Sequence, residues 1–164
     1  MMLAAVALLL SLQVAPKPEE IGVFYHVDEG KLVALERQTA VSEARWRWLG
    51  FGGYRALAWI KGERAALRLG PRPQFVLRAP DPTKYQLLRY TPRKGRREVV
   101  LQSGGRIAPA AVTCRVTEIA PGVYQFVPAE DLSPGEYGFS PTDSNDSFNF
   151  GVDSAHAPKL GGQE

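Results

Sequence analysis

The chain has 164 residues, 20 Lys and Arg against 17 Asp and Glu, and 45% hydrophobic side chains, three Trp among them. That length leaves room for one ordinary domain and not two, and the apolar fraction excludes a disordered polymer. The net charge of +3 conceals a segregation: residues 45–115 carry sixteen basic groups against three acids, whereas 116–164 carry one against eight and 16–44 carry three against six.

Residues 1–15 stand apart. Met1 to Leu12 hold no charge, and Leu3 to Leu10 form a compact apolar run. This run is far shorter than the ~20 residues a membrane span needs. It has the form of a secretory signal peptide, with cleavage expected after Ala15, although no Lys or Arg precedes it. Residues 16–20, Pro-Lys-Pro-Glu-Glu, then read as an extended leader. An exported chain, periplasmic or extracellular, is the expectation, with no transmembrane span once the signal is removed.

From Ile21 onward apolar and polar residues alternate with period two, as in half-buried strands. The 16 Gly and 13 Pro punctuate this pattern without a collagen-like repeat. Ile21, Val23, Tyr25 and Val27 share one strand face, and Asp28-Glu29-Gly30 turns the chain into Lys31–Leu35. Residues 38–44 read as a short helix. Ala65, Leu67 and Leu69 form one alternating set, and Phe75 and Leu77 another. Tyr85 to Tyr90 is a strand that turns through Pro92-Arg93-Lys94-Gly95-Arg96 and returns as Glu98 to Gln102. Further strands are expected at Val112–Ile119, Val123–Val127, Glu136–Ser140 and Ser147–Val152. The domain therefore spans 21–153, and residues 154–164 form a Gly-rich, flexible tail.

One internal echo carries fold information. Leu132-Ser133-Pro134-Gly135-Glu136-Tyr137-Gly138-Phe139 repeats the form of Ile119-Ala120-Pro121-Gly122-Val123-Tyr124-Gln125-Phe126 thirteen residues earlier. Pro presets the first corner of a type II turn, Gly supplies positive φ at the second, and Tyr and Phe then share one face. The second copy resembles the tyrosine corner of immunoglobulin-like sandwiches. Strand spacing and this corner together predict an all-β fold, an antiparallel sandwich of immunoglobulin-like or transthyretin-like form with at most one short helix. Tyr85-Gln86-Leu87-Leu88-Arg89, Arg96-Arg97-Glu98 and Leu132–Phe139 also resemble segments of uncharacterised exported bacterial β-sandwich proteins. That likeness covers about the C-terminal half. It implies export and supplies no site residues.

Catalytic chemistry finds few footholds. Two His, His26 and His156, and one cysteine, Cys114, offer neither a nucleophile–base–acid set nor a zinc site. Cys114 shares a strand face with Val112 and Val116 and reads as a buried small hydrophobe. Asp143, Asn145, Asp146, Asn149 and Asp153 lack calcium-loop spacing and read as an Asx-rich turn. No phosphate-binding glycine motif occurs, and no cofactor is expected.

Two surfaces merit attention for binding. In Arg45-Trp46-Arg47-Trp48, with Tyr54 nearby, the two Trp share one strand face and the two Arg the other. An exposed Trp face would stack sugar rings or apolar side chains, and a buried one would be core. Arg93, Lys94, Arg96 and Arg97 cluster at a hairpin tip, where they would meet an anionic envelope polymer or remain solvated. A non-catalytic exported sandwich that binds an anionic polymer, a glycan or another protein is the expected function, with nucleic acid not expected. A secreted polysaccharide-cleaving enzyme with unmarked carboxylates and a subunit assembling through strand edges are the alternatives.

Overall fold

The computed structural model describes residues 17–46, 54–103, 106–107 and 111–154, with backbone alone at 44–46, 54–55, 102–103 and 106–107. In chain order the strands are β1 (Phe24–Asp28), β2 (Lys31–Ala34), β3 (Glu36–Thr39), β4 (Val41–Trp46), β5 (Tyr54–Lys61) and β6 (Arg68–Leu69). They continue as β7 (Phe75–Arg78), β8 (Tyr85–Arg93), β9 (Arg96–Ser103), β10 (Arg106–Ile107) and β11 (Ala111–Val112). The last four are β12 (Cys114–Ala120), β13 (Val123–Pro128), β14 (Gly135–Pro141) and β15 (Asp146–Val152). One 3-10 turn, Pro82–Lys84, is the only helical element among the described residues, and no helix there is long and apolar enough to cross a membrane.

The strands form two sheets. The first has the order β12-β13-β7-β1-β2, and the second runs β3-β15-β14-β8-β9-β5-β4, with β10 on β9, β11 on β8 and β6 on β15. All of these pairings are antiparallel except β6 with β15. The two ends of the second path, β3 and β4, are one run of chain interrupted only at Ala40. Its first half pairs with β15 and its second half with β5, so the sheet curls back on itself toward a barrel.

A core of aromatic rings joins the sheets. Phe24 of β1 lies parallel to Phe139 of β14, with centroids 3.9 Å apart, and meets Phe126 and Tyr85 edge-on. Phe75, Phe148, Phe150 and Tyr137 complete the cluster. Alternation sends Tyr137, Phe139, Phe148 and Phe150 to this core, and it sends Glu136, Gly138, Ser147 and Asn149 to the opposite face. That opposite face is buried as well, because the curl of β9, β5 and β4 covers it. The all-β antiparallel expectation holds, and the covered second face is an addition to the two-layer picture.

The expected helix at 38–44 is instead strand. Seven residues are too few to hold a helix unaided even with two Ala among them, whereas Gln38 and Thr39 gain ladder partners on β15 and Val41 onward on β5. On β1 the face that meets the second sheet is that of Phe24, which fills the core with Val23 packed against its margin, and Tyr25 is covered on the other side, where its hydroxyl accepts from the Glu20 N–H. Alternation identified the two faces of this strand but not which one the second sheet would cover.

The Pro-Gly echo resolves into two different devices. Gly122 has φ +69° and closes the β12–β13 hairpin in the expected manner. Gly135 does not adopt positive φ; a Cβ there would sit 3.4 Å from the Arg89 guanidinium, which donates to the Pro134 carbonyl. The Tyr137 hydroxyl donates to the Ser133 carbonyl at 2.8 Å, which is the tyrosine corner that the second copy suggested. Tyr137→Phe is expected to cost about 0.5–1.5 kcal/mol, read as a lower urea midpoint at unchanged slope.

Candidate functional site

The curled sheet does not close evenly. Strands β8 and β9 pair only from Thr91 to Arg93 on one side and Arg96 to Glu98 on the other. Beyond that they part: β9 follows β5, while Leu87 and Leu88 of β8 take β11 as neighbour. On β9, Ala56 faces Gln102 and Leu57 faces Val100, so Leu101 is the extra residue of a β-bulge. The parting leaves a groove of about 290 Å³ at the barrel mouth.

Its lining combines apolar side chains, Ala40, Ala58, Leu88, Val99 and Leu101, with hydroxyl and amide groups, Ser140, Thr142, Ser144 and Asn145 from the β14–β15 connection and Ser42 and Gln86 from β4 and β8. Among the described residues no Lys or Arg lines it. Its one carboxylate, Asp146, accepts from Arg37 at 2.8 Å. This volume sits at the lower end of the range of about 300–1,000 Å³ typical of small-molecule sites, and the mix of apolar lining and few polar groups is typical of them too.

The floor is set by buried polar groups. The Tyr90 hydroxyl lies 2.9 Å from Ser147 Oγ, which donates to Asn149 Oδ1, and Asn149 Nδ2 donates to the carbonyls of Ser147 and Glu36. Gly138 is what makes room for them: a Cβ there would fall 2.7 Å from Asn149 Oδ1 and 2.8 Å from Ser147 Oγ. Deeper still, Glu136 accepts from the Ala65 N–H, is bonded by Arg68, and lies 3.7 Å from Nη1 of the fully buried Arg97. Arg97 also donates to the carbonyls of Gly62 and Lys61. Burial draws its pKa below the ordinary guanidinium value, against the attraction of Glu136. This cluster pins the closed end of the barrel beneath the open mouth.

The structure separates the four cations expected to act together. Arg93 and Lys94 are exposed at the hairpin tip, where Lys94 and Gly95 both take positive φ and form the two-residue turn. Arg96 lies over the Trp59 ring at 5.1 Å and donates to Glu98 at 2.6 Å, so its charge is already partnered. Arg97 is wholly inside. The anionic-surface expectation is therefore corrected for Arg97, because alternation along β9 turns its side chain into the barrel while leaving the tip in water.

The aromatic candidates fall at the edge of what is described. Arg47 and Trp48 lie outside the described residues, as do the side chains of Arg45, Trp46 and Tyr54. Backbone register nonetheless pairs Trp46 with Tyr54 and Arg45 with Arg55. Trp59, the third tryptophan, donates to Glu43 at 2.7 Å on the outer face of the ribbon.

Cys114 is half-buried against the core, and burial pushes its thiol up to about 11, so it is a poor nucleophile. The acidic run does not converge either. Asp143 meets Lys84, Asp146 meets Arg37, and Asp153 meets Arg68 and Arg64. Among the described residues no group of three or more His, Cys, Asp and Glu is placed to hold a metal ion. Sequence reasoning missed the groove. Only the run of Ser140, Thr142, Ser144 and Asn145 between two strands hinted at a polar rim.

Fold and groove together define an all-β protein whose second sheet curls toward a barrel with an open mouth. The chain matches no family model, no curated protein and no solved structure.

Proposed function

We propose that this chain is an exported, non-catalytic binding protein that receives a small ligand in the groove at the barrel mouth. One observation carries the reading: β8 and β9 part beside a hydrogen-bonded floor, leaving a groove lined by apolar side chains and by hydroxyl and amide groups. A site built on strands over a hydrogen-bonded floor is preorganised, which lowers the cost of binding. The apolar run within residues 1–15 and the resemblance to exported bacterial sandwich proteins support delivery outside the cytoplasm. With one ion-paired carboxylate at the groove, the geometry favours recognition over acid–base cleavage.

The reading is tested by adding a panel of small probes (phenol, decanoate, cyclohexanol and glucose) to the ¹⁵N-labelled chain and mapping amide shifts. Shifts should concentrate at Ala58, Leu88, Val99 and Ser140, and Leu101→Trp, which narrows the rim from a half-exposed position, should suppress them. Scattered or absent shifts would refute the groove as a site.

A further inference from the structure

We infer that the ligand of this groove is a neutral, largely apolar molecule that presents a hydrogen-bond donor to the floor, a hydroxyl above all, and that the groove discriminates against the matching ketone or carboxylate. The inference rests on the groove being a binding site. It goes further by fixing the polarity of the ligand group that reaches the floor.

The hydrogens beneath the floor can be placed one by one. Asn149 has no exposed surface, and its Nδ2 donates to two backbone carbonyls, those of Ser147 at 2.9 Å and Glu36 at 3.3 Å. A carbonyl only accepts, so these bonds fix which way round the amide sits and turn Oδ1 toward the Ser147 hydroxyl. Ser147 Oγ therefore spends its one hydrogen on Asn149 Oδ1, at 2.8 Å. Tyr90 lies 2.9 Å from the same Ser147 oxygen and is the donor of that pair, which uses its only hydrogen. Ser147 is as deeply buried as Asn149, which shields the chain from exchange with bulk water. Gly138 leaves room for this arrangement and little else, since a Cβ there would fall 2.7–2.9 Å from Asn149 Oδ1, Ser147 Oγ and the Tyr90 ring.

The consequence is felt at the groove. Tyr90 and Ser140 both line it, and their hydroxyl oxygens are 3.4 Å apart. With the Tyr90 hydrogen directed inward, Ser140 holds the one hydrogen left between the two oxygens. If it turns to Tyr90, Ser140 offers lone pairs to the groove and calls for a donor. If it turns to the groove instead, the buried Tyr90 oxygen loses its donor. A ligand hydroxyl satisfies both oxygens at once, donating to Ser140 while Ser140 donates to Tyr90. A ketone can satisfy only one of them, and the group left over carries the cost of an unmatched buried oxygen.

Charge and surface set the rest. Among the described residues no Lys or Arg lines the groove, and Asp146 brings a carboxylate, so an anionic head meets repulsion and no counter-charge. Ser144, on the β14–β15 connection, accepts from the Asp146 N–H at 3.2 Å and keeps its own hydrogen, so the acceptor character belongs to the floor and not to the whole rim. Ala58, Leu88, Val99 and Leu101 supply the apolar surface for the body of the molecule.

Cyclohexanol and cyclohexanone test this as a pair of nearly equal size and shape, with cyclohexanecarboxylate as the anion. Each is titrated into the ¹⁵N-labelled chain and followed at the amides of Leu88, Val99 and Ser140. Cyclohexanol should bind about tenfold more tightly than cyclohexanone, and the carboxylate more weakly than either. Ser147 does not line the groove, and Ser147→Ala removes the acceptor that holds the Tyr90 hydrogen inward. The freed hydrogen can then serve the groove, so cyclohexanone should gain affinity and the preference should fall below about twofold. If Ser147→Ala does not fold, Tyr90→Phe, which removes the oxygen that claims the Ser140 hydrogen, should erase the preference in the same way. Cyclohexanone or the carboxylate binding the parent as tightly as cyclohexanol would overturn the inference and leave the groove reading standing. So would a preference unchanged in both variants, or a parallel weakening of both probes, which marks a loosened site. If no probe of any kind shifts the groove, both readings fall.

Discussion

Glu136→Leu is expected to cost about 3–5 kcal/mol of stability. The carboxylate is almost wholly buried, and its loss strands Arg97, which has no exposed surface at all, and removes one partner of Arg68. A guanidinium so placed can neither reach water nor lose its proton readily, so its desolvation is left uncompensated. The Ala65 N–H loses its acceptor at the same time. Against a total stability of about 5–15 kcal/mol, such a loss brings the chain to the edge of folding. The converse test separates an unpaired charge from a lost contact. The triple replacement Arg68→Met, Glu136→Leu, Arg97→Met removes all three charges and should recover much of the loss, as apolar substitutes for buried ion clusters often do. Urea unfolding of the two variants beside the parent decides it. A triple variant no more stable than Glu136→Leu would show that shape or the lost hydrogen bonds, and not the stranded charge, governs this end of the barrel.

Phe139→Ala is expected to cost a similar amount, about 3–5 kcal/mol, by a different route. Phe139 has no exposed surface, lies parallel to Phe24 and meets Phe75 and Phe126 edge-on. It therefore holds the two sheets together at the centre of their contact. Truncation removes transfer energy and leaves a cavity that neighbours in a rigid double sheet cannot close. With a urea slope of about 1–3 kcal/mol per molar, the midpoint should fall by more than about 1 M. Phe139→Leu, which keeps most of the volume, should lose less. Equal losses for the two would mean that ring geometry dominates over volume. The barrel face should be little affected, so groove shifts from small probes should survive in Phe139→Leu.

These two substitutions lie three residues apart on β14, on opposite faces of the strand. Along β14 the side chains alternate between an aromatic layer and a polar one, Tyr137 and Phe139 on one side, Glu136 and Gly138 on the other. The first layer joins the sheets. The second lines the closed end of the barrel and positions the floor of the groove through Tyr90, Ser147 and Asn149. The Tyr90, Ser147 and Asn149 side chains answer one another there, whereas Nη1 of Arg97 has no hydrogen-bond partner and only the charge of Glu136 3.7 Å away.

What the sequence determined by itself was local. Period-two alternation and turn residues identified most strands, since the side-chain period of a strand is a property of the backbone alone. The Tyr137 corner was legible because it closes over four residues. The apolar run at 1–15 and the segregation of charge were legible for the same reason. The tertiary structure decided everything that depends on which strands become neighbours. It chose the core face of β1, drew residues 38–44 into strands, buried Arg97 while leaving Lys94 in water, and opened a groove where β8 and β9 part. None of this is written in a pattern of alternation, which says that two faces differ but not what will cover them. Here both faces of β14 and β15 are covered, one by a second sheet and one by the curl of their own, and only the folded chain shows which residues meet there.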